Sequence, residues 1–193
     1  DVPVALPCDQ VVFDREDNTY QTAKHLLELG HRDIGLYLVE RDNPSLRAAH
    51  PRYEGFARAL QEHGVEPNPA WIFHGWWSEE DGARLAEQFS SLPKRPTAMS
   101  VVNESVASAF MNELARHSLQ IPRDLSVASH DDLPVGRHAI VPLTTASQPV
   151  AQISQHVVDM VVSRLNGEYS GEARTVTVRG ELIARRSTAP LEH

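Results

Sequence analysis

The sequence predicts an α/β fold wound on both faces of a parallel sheet. Three observations carry that prediction. Apolar runs of strand length alternate with helical patterns. The runs are apolar throughout rather than at every second residue, which implies burial on both faces. The helical stretches between them, ~12 residues each, return the chain for parallel pairing through right-handed crossovers.

Asn18 is read as the first N-cap, with Gln21 three residues on as its capping-box partner. Tyr20, Ala23 and Leu27 share a face of that helix, and Gly30 stops it. Ile34–Val39 is a continuous apolar strand. The second helix follows Pro51, with Tyr53, Phe56, Ala57 and Leu60 in register and Gly64 as its end. Residues 71–73 form a short strand. Ser78 caps a third helix whose first turn, Glu79, Glu80 and Asp81, has the sign the helix dipole favours. Its buried face is Leu85, Ala86 and Phe89. After the loop Pro93-Lys94-Arg95-Pro96 comes a strand at 98–102. A helix marked by Ala107, Phe110, Met111 and Leu114 follows, then a strand at 125–129. After Pro149 a long helix carries Val150, Ile153, Val157 and Val161 and ends at Asn166-Gly167. The stretches 174–178 and 181–184 are β-like.

Composition narrows the function. With 193 residues, 41% of them hydrophobic, the chain can build one large domain or two small lobes. Lys and Arg number 18 against 26 Asp and Glu, a net charge of −8. An acidic surface repels phosphate backbones, so the chain is a poor binder of nucleic acid by itself. A single cysteine, Cys8, excludes an internal disulfide and a Cys-based zinc site, and it fits a reducing, cytoplasmic setting. No run approaches the ~20 apolar residues of a membrane helix. Asp1-Val2-Pro3-Val4 lacks the regions of a signal peptide, and Leu191-Glu192-His193 reads as the stub of an expression tag.

Doubly wound sheets bind ligands beyond the carboxyl ends of their strands, which directs attention to the residues after Val39, Phe73, Val102 and Ser129. Arg52 stands at the unfavourable end of a helix dipole, at ~0.3–1 kcal/mol. It is either a solvated arginine or a fork donor to two adjacent oxygens. Of Trp76 and Trp77, one is read as core and the other as a flat apolar face for a sugar ring. Asn103 is an N-cap, or an amide suited to a hydroxylated ligand. Ser129, His130 and Asp131 are consecutive, and neighbours in an extended chain point to opposite sides, so they form no catalytic triad. Asp131 and Asp132 lack further ligands for a metal. A carboxylate accepting from ligand hydroxyls is the simpler reading. The set suits a small polyhydroxylated molecule. No catalytic residue, metal or cofactor is assigned.

Several strings occur in a particular order: Leu29-Gly30-His31-Arg32-Asp33-Ile34, Arg52-Tyr53-Glu54-Gly55-Phe56, Pro96-Thr97-Ala98, Asn103-Glu104, Ile121-Pro122-Arg123-Asp124-Leu125-Ser126-Val127, Asp131-Asp132, Pro142-Leu143-Thr144-Thr145, Gln148-Pro149 and Arg186-Ser187-Thr188. Over nearly the whole chain this order resembles the effector-binding core of the LacI/GalR family of bacterial transcription regulators. The resemblance implies a periplasmic-binding-protein-like type I fold, with two doubly wound parallel-sheet lobes joined by three crossing strands. It assigns residues 1–40 plus 148–167 to an incomplete N-terminal lobe. Residues 41–147 plus 168–190 go to the C-terminal lobe, leaving 191–193 as tag remnant. It implies effector contacts at Arg52, Asn103 and Asp131, stacking on Trp77 and a weaker role for Gln148. His130 stands where the family has an aromatic, at the pocket edge, which implies a different effector and a pH-sensitive response. Glu104 replaces an Asp, and Ser118 stands where Gly is common.

The function so implied is effector sensing and dimerisation in a cytoplasmic homodimer. A sugar or sugar derivative shifts the balance between lobe arrangements, and with it the operator affinity of a headpiece outside these residues. Such couplings are ~1–3 kcal/mol. The missing part of the N-terminal lobe is expected to leave an unpaired strand edge. A periplasmic sugar-binding protein of an import system is the alternative, sharing the fold and much of the pocket. An enzyme would need a base within reach of a reacting atom, and no pair meets that need.

Overall fold

The computed structural model describes residues 7–39 and 50–192. Eight strands carry the architecture: β1 (Gln10–Phe13), β2 (Ile34–Val39), β3 (Ile72–Gly75), β4 (Ala98–Val101), β5 (Ser126–Asp131), β6 (Thr144–Ser147), β7 (Thr175–Val178) and β8 (Leu182–Ile183). Between them lie α1 (Arg15–Glu28), α2 (Pro51–Glu62), α3 (Glu79–Ser90), α4 (Glu104–Arg116), the short α5 (Pro134–Arg137) and α6 (Val150–Leu165). The larger sheet runs β3-β2-β4-β5-β6-β8, parallel except for β8. The smaller pairs β1 with β7, also parallel.

The apolar runs are explained by burial on both faces. In β2, Leu36 and Leu38 join Leu26, Phe56 and Leu60 beneath α1 and α2, while Tyr37 joins Leu85, Phe89, Phe110 and Leu114 beneath α3 and α4. Alternate side chains thus enter different cores, and neither face is wet.

Local signals hold with four adjustments. Asp14, not Asn18, caps α1: its carboxylate accepts the N–H of Asp17 at 2.9 Å. Asn18 is turned inward instead, and its amide donates to the Ala146 carbonyl at 3.2 Å, mooring the helix on the sheet. Trp71 belongs to a 3₁₀ turn, Pro69–Trp71, with its indole N–H on the Lys94 carbonyl at 3.1 Å, so β3 starts one residue later than the periodicity suggests. β5 extends to Asp131, which makes His130 a strand residue. Leu191 donates its N–H to Leu29 at 2.9 Å, so this residue of the expected tag remnant is hydrogen-bonded into the fold. The stops at Gly30 and Gly64 are as read: φ is +94° and +68°, and the residues after them bond back to Leu26 and Leu60.

Sheet membership divides the chain differently from the expected bounds. Residues 15–39, which the resemblance placed with the N-terminal lobe, supply α1 and β2 of the six-stranded sheet. Conversely β7, expected with the C-terminal lobe, pairs with β1. The reason is local: the chain leaves the small sheet at Phe13, and Asp14 starts the next helix at once. Three passages link the sheets, at 13–15, 147–150 and 178–182. They are laced together by Asp14 N–H on Val178 at 3.0 Å, Ser147 N–H on Glu181 at 2.8 Å and the Gln21 amide on Gly180 at 3.0 Å. A Cβ on Gly180 would lie 1.8 Å from the Ser147 carbonyl oxygen, so the passages meet backbone to backbone.

The small sheet underfills its helix. Of the apolar residues expected on one face of α6, Val150, Val157 and Val161 are exposed, with Val158, Val162 and Leu165 beside them, and Met160 is buried. Among the described residues the small sheet has two strands, too narrow to cover the stripe.

Candidate ligand site

The carboxyl ends of β3, β2, β4, β5 and β6 form one edge, and the candidate residues follow them in that spatial order: Trp77, Arg52, Asn103, Asp131, Gln148. At the centre, Asp131 and Asp132 take left-handed backbone angles, φ +95° and +58°, which few residues but glycine adopt. Glu104 holds them there. Its buried carboxylate accepts the N–H groups of Asp132 at 3.0 Å and Leu133 at 2.7 Å. Burial raises its pKa against the pull of those hydrogen bonds and that of Thr145.

The two aspartates then part company. Asp132 is bound by Arg185 at 2.6 Å and Arg137 at 2.7 Å. Asp131 faces Arg52 and Arg15; burial raises its carboxyl above the usual range although both guanidinium charges oppose the rise. Arg52 is lowered to about 10 by burial, then by the charge of Arg15, with Asp131 opposing. Its Nε is buried without a hydrogen-bond partner. Among the described ion pairs none joins Arg52 to Asp131, although each is close enough to shift the other's pKa.

Other candidates fall around this pair unequally. The backbone N–H of Gln148 donates to the Asp131 carbonyl at 3.3 Å. Asn103 caps α4, its Oδ1 accepting from Val106 at 3.1 Å, which leaves its NH₂ as the group suited to a ligand. Trp77, about half exposed, packs edge-on against Trp76 at 5.6 Å between centroids. Its strand is three steps from β5, ~14 Å at ~4.8 Å per step, so the structure does not bring it to Asp131. Two described cavities, about 690 Å³ beside β1 and α6 and about 290 Å³ between α3 and α4, are lined by none of these residues.

His130 is not at the rim. It is sealed beneath Asp131, with Nε2 3.3 Å from Thr22 Oγ1 and Nδ1 unpartnered, because the longer β5 turns it toward α1. Burial, then Arg52, pushes its pKa well below the ordinary value, so the ring stays neutral. Unfolding restores a pKa near 6.5, so the unfolded chain takes up the proton as pH falls and stability is lost below that point. This residue alone should contribute about 1.4 kcal/mol of loss between pH 7.5 and 5.5. Burial depresses His25 and His31 too, adding to the slope. Urea denaturation of His130→Phe at the two pH values should show the wild-type slope reduced by about that amount.

Two residues of this edge escaped the sequence reading. Arg15 opens α1 directly after a strand, as an arginine in a first turn, which is the signal that selected Arg52. Glu104 was noticed only as a replacement, since no spacing rule announces an acid that holds a turn 28 residues away. Among the described residues no cluster of three or more His, Cys, Asp or Glu could hold a metal, and no helix is long and apolar enough to cross a membrane.

Comparison with known proteins places this geometry. A family model described as periplasmic binding protein-like domain matches residues 23–188. The transcriptional repressor PurR of Haemophilus influenzae is 30% identical over 173 residues, 89% of this chain and 51% of that protein. The chain thus spans about half the length of such relatives. A LacI transcriptional regulator from a Rhodococcus species superposes with a TM-score of 0.83 at 28% identity, over 98% of this chain and 68% of that one. A LacI family regulator from Enterococcus faecium with bound ribose gives 0.81 at 24% identity, over 95% and 66%. An α/β sheet with its polar residues gathered at the strand ends, a matching family model and repressor relatives converge: the chain belongs to the periplasmic binding protein-like domain family, as an effector-binding domain of the LacI/GalR kind.

Proposed function

We propose that this domain senses a small polyhydroxylated effector, a sugar or sugar derivative, at the carboxyl edge of its large sheet. One observation carries the reading: Arg52 and Asp131 feel each other's charge without a described ion pair, whereas Asp132 is paired with both Arg137 and Arg185. A sugar presents hydroxyls that accept from the guanidinium and donate to the carboxylate. Asn103 supplies a further donor and Trp77 an apolar face at the outer end. The ribose held by the Enterococcus faecium regulator supports the ligand class. The domain would act within a cytoplasmic homodimer and alter operator affinity through a headpiece, as repressor relatives suggest. The two sheets would serve as the lobes, β1, β7 and α6 forming part of the first.

Titration calorimetry against pentoses, hexoses, cellobiose, polyols and nucleosides tests the proposal. Arg52→Ala and Asp131→Ala should each weaken the sugar that binds by ~10–100-fold, the equivalent of one hydrogen bond to a charged group. Unchanged binding in both variants would refute the site.

A further inference from the structure

Trp77 is mounted more firmly than a half-exposed loop side chain requires. The peptides on both sides of it are pinned by buried groups. Before it, the Trp76 carbonyl accepts the phenol O–H of Tyr37 at 2.6 Å. After it, the Ser78 N–H donates to Asp81 Oδ2 at 3.1 Å, and the Ser78 hydroxyl donates to the same oxygen at 2.7 Å. Arg84 approaches the other carboxylate oxygen at 3.0 Å. Tyr37 lies in β2, packed with Leu85, Phe89 and Phe110, and Asp81 lies in the first turn of α3; both are buried. Room for this clamp is made at Gly75, where a Cβ would collide with the Tyr37 hydroxyl and lie 3.1 Å from Asp81 Oδ1.

Electrostatics keeps the clamp shut. Burial, then the Asp81 charge, raises the Tyr37 pKa against the pull of Arg84, so the phenol keeps its proton and remains a donor. Burial pushes the Asp81 carboxyl up, but Ser78, the Trp76 backbone and Arg84 outweigh it and hold the group below its ordinary value, ionised. Ser78 and Asp81 form a capping box, which is all that α3 needs to begin. The Tyr37 bond and the space at Gly75 lie outside that need. What the two pinned peptides fix in common is the direction of the Trp77 side chain between them. Trp76 closes one side of that ring edge-on, at 79° between planes, and the rest stays open to solvent.

We propose that Tyr37 and Asp81 are positioning residues that set the Trp77 indole, before any ligand arrives, as a stacking face for the apolar side of the effector. A ring held in advance has less freedom to lose on binding. The inference rests on Trp77 belonging to the effector site.

Cellobiose, glucose and ribose are the probes, titrated calorimetrically into the full chain and its variants. Tyr37→Phe keeps the ring that fills the core and removes only the hydroxyl. It should weaken the sugar that binds by about 3–10-fold, and Trp77→Ala should weaken it at least as much. The double variant should bind no worse than Trp77→Ala alone, whereas a general loosening of the fold would add its own loss. Without sugar, the NMR order parameter of the Trp77 indole N–H should fall from ~0.85 in wild type to below ~0.6 in Tyr37→Phe. Asp81→Asn should move both readouts the same way and serves if the phenylalanine variant does not fold. Affinity unchanged in both clamp variants, losses that add, or an indole as rigid in the variants as in wild type would each overturn the proposal. If a sugar binds through Arg52 and Asp131 but is indifferent to Trp77→Ala, the effector site stands and the positioning role falls; if none of the three sugars binds, both fall.

Discussion

Glu104→Ala is expected to destabilise the chain by about 2–3 kcal/mol, because it strips the carboxylate from two backbone N–H groups, leaving that of Leu133 unsatisfied and that of Asp132 with only a long bond to Thr145 Oγ1 at 3.4 Å. Those two bonds also hold a pair of left-handed aspartates, so their loss frees the backbone that aims Asp131. Urea denaturation should register the stability loss, and calorimetry a parallel loss of effector affinity. Glu104→Gln keeps the volume but exchanges one accepting oxygen for an NH₂, so about half the destabilisation is expected. Equal stability of the alanine variant and wild type would show that the turn holds itself. The environment leaves little room for adjustment: a Cβ on Gly136 would lie 2.7 Å from a Glu104 carboxylate oxygen.

Gly55→Val should cost about 3 kcal/mol or more, at the upper end for overpacking. The obstruction is main chain rather than a movable side chain, with the Glu16 carbonyl 2.0 Å from the new Cβ and the Tyr20 nitrogen 3.0 Å away. α1 and α2 would have to separate, which would open the Leu26, Phe56 and Leu60 core. Arg15 and Arg52 would move apart with them. Thermal denaturation should show a lowered midpoint, and any folded fraction should have lost effector binding. A variant that melts with wild type would mean that the helices can slide.

The large sheet was legible because its signals are local. Ile34–Val39 is apolar at each position except Gly35, and Ser78, with three acids behind it, begins a helix as expected. The strand-end rule selected Arg52, Asn103 and Asp131, and the structure sets all three along one edge of the large sheet, after β2, β4 and β5. What failed needed tertiary knowledge. Asn18 and Asp14 are both good caps, and only the inward turn of Asn18 toward Ala146 decides between them. α6 carries a well-formed apolar stripe, yet periodicity says nothing about how wide a sheet will receive it. Sheet membership of residues 15–39 depended on where the chain leaves β1, a boundary that composition does not mark.

The lacing of the three passages between the sheets has a consequence for how a bound guest is felt. Asp14 precedes Arg15, Gln148 follows Ser147, and Gly180 rests on the Ser147 carbonyl oxygen, whose strand partner is Asp131. Any swing of the small sheet against the large one would pivot on peptides that adjoin Gln148 and Asp131, two residues of the proposed site. If the proposed site is the effector site, fulcrum and load share residues, and a tightening of the grip would bear on the axle itself rather than through a long relay in the core.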